Sequence, residues 1–388
     1  MDKLIGSAML LGLLVVISYF ALVHPLFTWD LVPYVAATLS AQVNDPSALH
    51  TETYQLLQTT LSNAQFNGLV AGPYASDLWQ NSEHFTSQLT MYYVKPLYVA
   101  VLQGAALLGA NPVTAIMGLS LGSGLLICIL MFQWLKSATT AVNAAALVIL
   151  FALTARLIDL SRVPTPDNFS ALAVLTGLYL LLVMKWWLPA IAVLCASVLI
   201  RTNNMIFVGL VFTYLIWARY ALTQTIKDSK LKLAALGLGV SVSLYLLTNA
   251  LFDYQWWRLF YHTFVESQVD IAGFDRAFSF ATYLSVVKAA LQQVIAPGAI
   301  LATVLPGFLV LILISLRKTL AQTLAGFFKP SDDSLLDQLV LLCVPVFFTV
   351  MLLFPLTLGW DRFFTAYYAL ILIYSITQWR TRSPDNKA

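Results

Sequence analysis

Few side chains in this sequence could do chemistry, and they stand at the edges of apolar runs. Asp30 follows the uncharged stretch 4–23 in "HPLFTWDLVPYVA", and Tyr34 stands four residues further on. Lys95 precedes a proline in "VKPLY", Arg201 ends an apolar run in "LIRTNN", and Arg362 lies in "GWDRFF". A carboxylate held at a membrane edge and partly desolvated can take a proton from a hydroxyl. Cations at the same depth can steady an anion that leaves or arrives. Charged groups beside lipid are costly unless paired, so Lys95, Arg201 and Arg362 read as functional or ion-paired, with snorkelling or an Asp361 partner also open to Arg362. Asp30 has a second reading as the N-cap of a helix starting at Leu31, with Pro33 tolerated in its first turn.

Asp167, with Arg162 and Asn168 close by, sits where "RVPTPDNFSALAVL" enters an apolar run. It reads either as a helix cap or as a contact to substrate. Thr202, Asn203 and Asn204 follow Arg201 and interrupt an otherwise apolar hairpin. Polar backbone at that depth is tolerated where it lines a cavity, which makes Asn203 a candidate substrate contact. In "FDYQWWRLFYHTFVESQ", Trp256, Trp257, Phe260 and Phe264 recur at helical spacing, and Arg258, His262 and Glu266 form a polar stripe. That segment reads as an interfacial anchor or as the wall of a cavity for a lipid chain, with His262 facing it. The four histidines match no metal-ligand spacing, so no metal site is assigned.

These residues need a membrane scaffold. Of 388 residues, 60% are hydrophobic and 10% charged, and mean hydropathy is +0.80, whereas a soluble domain carries about 25% charged residues. A net charge of +3 gives no field for a polyanion, so nucleic acid is not an expected partner. Cys128, Cys195 and Cys343 lie in apolar runs, which excludes a disulfide framework. Apolar stretches of roughly 17 to 25 residues predict ten spans, near 4–23, 113–135, 140–157, 168–184, 188–204, 205–219, 233–251, 297–316, 337–357 and 363–379. The first is expected to stay as an uncleaved anchor.

Basic residues concentrate between alternate spans, among them Lys136, Lys185, Lys227, Lys230, Lys232, Arg317 and Lys318. The positive-inside rule then puts both termini in the cytoplasm and the polar candidates outside. The whole chain, 1–388, reads as one all-α polytopic transmembrane domain with two external segments, 24–112 and 252–296. The first is too long for an idle connection and is expected to carry juxtamembrane helices, with 96–110 lying along the membrane surface.

"WDLVPYVA" just after the first span, a long external loop ending in "KPLY", and then "LLGANPVTAIMGLSLGSGLL" together resemble the GT-C glycosyltransferases. The order is similar to the bacterial branch that includes the aminoarabinose transferase of lipid A and the protein mannosyltransferases, and "TPDN" resembles a loop of many multispanning sugar transferases. The chain departs from that branch in Lys95-Pro96-Leu97, where the family has a double proline, and in having no Asp-x-Asp motif. The resemblance implies a polyprenyl-phosphate-linked sugar donor, undecaprenyl in a bacterial inner membrane. It implies a lipid, glycan or protein acceptor, membrane lipids as partners, and a site facing the periplasm. It favours Asp30 as the general base over a helix cap, and with the residue readings above it leaves Lys95, Arg201 and Arg362 as the expected donor-phosphate contacts and Tyr34, Asp167, Asn203 and His262 as the expected substrate contacts. A divalent cation is compatible with it and no other cofactor is expected. A secondary transporter would instead show two related halves and charges near mid-membrane, and a non-catalytic lipid-binding protein would need no one-sided cluster.

Overall fold

The computed structural model describes residues 1–294, 328, 330, 335–355, 359 and 361–380. Among them every regular element is a helix. The expected spans match Asp2–Val23, Pro112–Lys136, Ala141–Thr154, Asp167–Leu182, Trp187–Ile200, Asn204–Thr223, Ser229–Leu251, Leu335–Leu353 and Asp361–Arg380. The expected span 297–316, with the basic residues Arg317 and Lys318, lies outside the described residues. Five of the helices are long and apolar enough to cross a membrane: Asp2–Val23, Pro112–Lys136, Asn204–Thr223, Ser229–Leu251 and Leu335–Leu353. Ala141–Thr154, Asp167–Leu182 and Trp187–Ile200 are apolar but shorter.

The helices form a bundle with one apolar core, in which Ile127, Met131, Val148, Leu178, Leu194, Phe212, Val346 and Leu370 are buried. Backbones come close where glycine permits it. A Cβ on Gly6 would meet the Ala141 carbonyl, and at this crossing the Asp2 carboxylate accepts from the Ala141 N–H at 2.8 Å. One N-terminal carboxylate thus satisfies an orphan donor of the next helix.

The segment 24–112, expected to be external, is more than a set of surface helices. Leu31–Leu39, Pro46–Thr60, Asn63–Leu69, Pro73–Gln80, Ser82–Gln88, Thr90–Tyr93 and Pro96–Leu107 close into a cap. The cap has its own core around Leu57, Phe66, Leu78 and Phe85. Side-chain caps start three of these helices, at Asp45, Ser62 and Asn81, and the long helix that follows them. The Asp45 carboxylate accepts from Ala48 N–H at 2.7 Å, Ser62 and Gln65 form a reciprocal capping box, and Asn111 caps the Pro112 helix. Pro96–Leu107 has 12 residues, about 18 Å at 1.5 Å per residue, too short for a hydrocarbon layer of about 30 Å. Its Tyr98 and Leu102 anchor it to the cap core.

The segment 252–296, also expected to be external, folds differently from the expectation. Trp256–Phe264 is helical, but the helix stops before Glu266, whose N–H turns back to the Tyr261 carbonyl. The expected stripe therefore breaks. Arg258 is buried against Asp253 at 2.8 Å, and His262 Nδ1 accepts from Gln268 N–H at 3.0 Å. Trp256 and Trp257 donate to the carbonyls of Leu353 and Arg276, so the aromatic run knots this segment to the bundle. Gln88 of the cap clamps it by donating to the Gln268 and Val269 carbonyls. Residues 295–296 of the predicted segment fall outside the described residues.

Candidate functional site

The structure gathers Asp30, Lys95, Asp167, Arg201 and Arg362 at one end of the bundle, under the cap. Their positions explain why. Asp30 precedes Leu31–Leu39, Lys95 precedes Pro96–Leu107, Asp167 begins Asp167–Leu182, Arg201 follows Trp187–Ile200, and Arg362 lies in the first turn of Asp361–Arg380. Helices that alternate in direction bring these boundaries to one side.

Two networks of buried hydrogen bonds hold the two helix ends on which Asp167 and Arg201 stand. Asn168 Nδ2 donates to the Ser120 carbonyl at 3.2 Å and to Ser161 Oγ at 3.1 Å, while Ser120 Oγ donates to the Leu160 carbonyl. Gly124 makes room for this knot, because a Cβ there would strike Ser161 and Asn168. Asn204 Nδ2 donates to Ser170 Oγ at 2.8 Å and to the Ser197 carbonyl at 2.9 Å, fixing the turn that carries Arg201. The short polar residues of "TPDN" and "RTNN" thus serve first as braces.

Asp167 is not a cap. Its side chain is fully buried and pairs with Arg201, and its other oxygen accepts from Arg362 Nε at 2.7 Å. Arg201 also stacks on the Phe363 ring at 4.1 Å. Arg362 then reaches Asp30 Oδ2 at 3.4 Å, so carboxylates and guanidiniums alternate from Arg201 through Asp167 and Arg362 to Asp30.

Asp30 does not cap its helix either. Its backbone is already helical, φ −52° and ψ −25°, and the side chain bonds none of the following N–H groups. A cap requires an extended backbone that lets the side chain fold over the first turn. Its carboxylate is held instead by Arg362 and by the Tyr92 hydroxyl, which donates to Oδ1 at 3.4 Å, and 29% of the side chain stays exposed. Burial, with the Asp30 charge beside it, pushes the Tyr92 hydroxyl well above its usual pKa and keeps it a donor.

Lys95 does not touch Asp30 directly. Its Nζ lies 5.2 Å and 5.0 Å from the centroids of the Tyr34 and Tyr92 rings and donates to the Met91 carbonyl at 3.4 Å. Burial lowers its pKa to about 7, opposed by the Asp30 charge and reinforced by Arg201 and Arg362. With Lys95 protonated, three cations against two carboxylates leave one positive charge over, buried on the Lys95 and Arg201 side and open to water at Arg362 and Asp30. That balance suits a phosphate.

Among the other expected residues, Tyr34 is buried in the cap core between Tyr92 and Tyr98, so it walls Lys95 and offers no surface to a substrate. Asn203 lines a recess of about 260 Å³ with Asp167, Arg201, Arg362 and Tyr367, and its Oδ1 is buried without a hydrogen-bond partner. His262 stands off from the cluster against the Tyr74 ring, and burial lowers its pKa. The segment's helix ends too soon to carry it further. Sequence reading missed Tyr92 and Phe363. Phe363 adjoins Arg362 and Tyr92 stands three residues before Lys95, so an aromatic ring near a basic residue was the available signal. Among the described residues no three His, Cys, Asp or Glu side chains gather as metal ligands.

No family model, curated protein or solved structure matches the chain.

Proposed function

We propose that the chain is a membrane glycosyltransferase. It would move a sugar from a polyprenyl-phosphate donor to an acceptor hydroxyl at the periplasmic face of a bacterial inner membrane. The observation that carries this reading is Asp30. It lies beside a group of cations with one positive charge in excess, is released from helix capping, and keeps part of its carboxylate open. The sequence resemblance to GT-C enzymes points the same way.

In the proposed step Asp30 takes the acceptor's hydroxyl proton as the acceptor oxygen bonds to the anomeric carbon. The bond from that carbon to the phosphate oxygen breaks, and its electrons leave with polyprenyl phosphate. The phosphate gains a negative charge as it leaves. Lys95 and the half-exposed Arg362 are the groups to stabilise it, because cations preorganised where charge develops act on the transition state more than on the ground state. Arg201, paired with Asp167, supports the field and holds Arg362 through their shared carboxylate.

The test is to incubate the purified chain in lipid nanodiscs with a panel of polyprenyl-phosphate sugars and an extract of bacterial envelope lipids and glycans as acceptors, with and without a chelator. Polyprenyl phosphate is then followed by mass spectrometry. Release from at least one donor, lost in Asp30→Asn, is the expected result. No release from any donor, or equal release by that variant, would overturn the proposal.

A further inference from the structure

Arg362 borders two recesses. One is the recess with Arg201 and Asn203 described above. The other, about 480 Å³, opens between residues 26–28 and residues 156–165, and Arg156, Asp159, Thr165 and Arg362 supply its polar wall. Of its lining, the proposed step uses Arg362 alone.

We propose that this second recess binds the phosphate group of an anionic, hydroxyl-bearing acceptor. The word acceptor rests on the transferase reading above, whereas the phosphate site stands on its own geometry. Two guanidiniums face the recess against one carboxylate, Asp159, whose Oδ2 lies 3.4 Å from Arg156 Nε and whose Oδ1 lies 3.0 Å from Arg162 Nη1, while Arg362 is also held by Asp167 and Asp30. The lining therefore favours an anion on its arginine side, and Asp159 discourages one that is not also held by both arginines. Bidentate recognition of phosphate oxygens is what the planar guanidinium does best.

Two further features point to a ligand. Arg156 holds a left-handed backbone, φ 52° and ψ 32°, which a branchless glycine would adopt more easily. Strain of this kind persists where the surrounding structure enforces it and gathers at binding sites. Thr165, in the same wall, is 1% exposed, and its hydroxyl has no hydrogen-bond partner. A buried hydroxyl without a partner is costly, and a phosphate oxygen would supply one.

The recess is also rigid and well placed. Arg162 Nε donates to the His24 carbonyl at 2.7 Å and the Arg162 carbonyl accepts from Leu26 N–H at 2.9 Å, so its two sides are tied together. Arg362, its inner wall, lies 3.4 Å from Asp30, which sets the hydroxyl of a molecule seated there next to the carboxylate. Leu26, Leu160 and Val163 add an apolar side that suits a lipid-borne acceptor.

Two binding arms test this with the full chain in phosphatidylcholine nanodiscs. One measures radiolabelled glycerol 1-phosphate by equilibrium dialysis. The other adds phosphatidic acid and counts the molecules retained by native mass spectrometry. Arg156→Gln should weaken binding about tenfold or more, Thr165→Val severalfold, and Lys136→Gln, at the other end of the bundle, not at all. Binding confined to the lipid arm would make the phosphate a lipid headgroup. Binding confined to dialysis would make it a soluble phosphate compound. Binding absent from both arms, or indifferent to Arg156→Gln, would overturn the proposal. Hydrolysis of the donor without acceptor should be the same in Arg156→Gln and the parent. A fall there as large as in binding would place Arg156 at the donor and overturn the assignment, leaving the transferase reading intact.

Discussion

Asp30→Asn separates two roles that one residue could have. If Asp30 were a helix cap, the exchange would be mild, since Asn caps as well as Asp. The structure leaves no cap to lose, because Asp30 is helical and its side chain bonds no N–H of the following turn. Two things are lost instead. One is the ion pair to Arg362 at 3.4 Å, between side chains that are 33% and 29% exposed. A pair so open to water is worth about 0.2–1 kcal/mol, so the thermal midpoint in detergent should fall by no more than a few degrees. The other loss is the basic oxygen. Asn Oδ1 still accepts from Tyr92, so the side chain should keep its place while turnover falls by about 10²–10⁴, the usual contribution of a positioned base. The assay is single-turnover release of polyprenyl phosphate from a pre-bound donor, read beside donor affinity and the thermal midpoint. Loss of turnover with affinity and midpoint preserved is the expected pattern. Full turnover, or a loss of stability as large as the loss of rate, would refute the reasoning.

The remaining expectations concern the groups around Asp30. Lys95, depressed to about 7 by burial, is charged below that pH and neutral above it. Donor affinity should therefore be greatest below pH 7 and fall as pH rises through 7, while Lys95→Arg should hold it to higher pH; a flat profile in the parent chain would remove Lys95 from the site. The proposed donor is a phosphodiester, whose own charge would be constant across this range. Asp167→Asn would leave Arg201 and Arg362 without their shared counter-charge in a fully buried position and should destabilise by about 3–5 kcal/mol. Chemical unfolding in detergent measures this, and adding Arg201→Met should recover part of the loss. Gly124→Ala would drive a methyl into Ser161 and Asn168 and should cost about 1–3 kcal/mol as an overpacked contact, lowering turnover through the Asp167 helix; unchanged stability and rate would show that the knot is looser than it looks. Cysteines at Ser47 and Ser279 should react with an impermeant thiol reagent outside intact cells and one at Ser229 should not, and labelling of Ser229 would invert the topology.

The places where helices start and stop were largely legible in the sequence. Length of apolar run is a local quantity set by the hydrocarbon thickness, so the expected spans at 113–135 and 205–219 fall on Pro112–Lys136 and Asn204–Thr223. The interruption at Arg201–Asn204 was visible for the same reason, since polar residues break an apolar run wherever the chain leads next. That Asp30, Lys95, Asp167, Arg201 and Arg362 share one end of the bundle follows from counting helix directions. Their partners do not follow. Arg362 bonds Asp167 across 195 residues and Asp30 across 332, and no spacing encodes which helix ends will touch. Local signals also allowed both Asp30 and Asp167 to be caps, and packing decided otherwise by setting Asp30 in helical backbone and burying Asp167 between two arginines. Periodicity extended the Arg258 stripe to Glu266, yet the helix ends at Phe264, where the chain turns back and His262 takes up the Gln268 N–H. Composition thus determined that the chain is a membrane helix bundle, and the order of its apolar runs set its few charges at their edges. Tertiary structure chose which charges meet there, because in a medium of low dielectric each buried charge is stable only beside the partner that packing delivers.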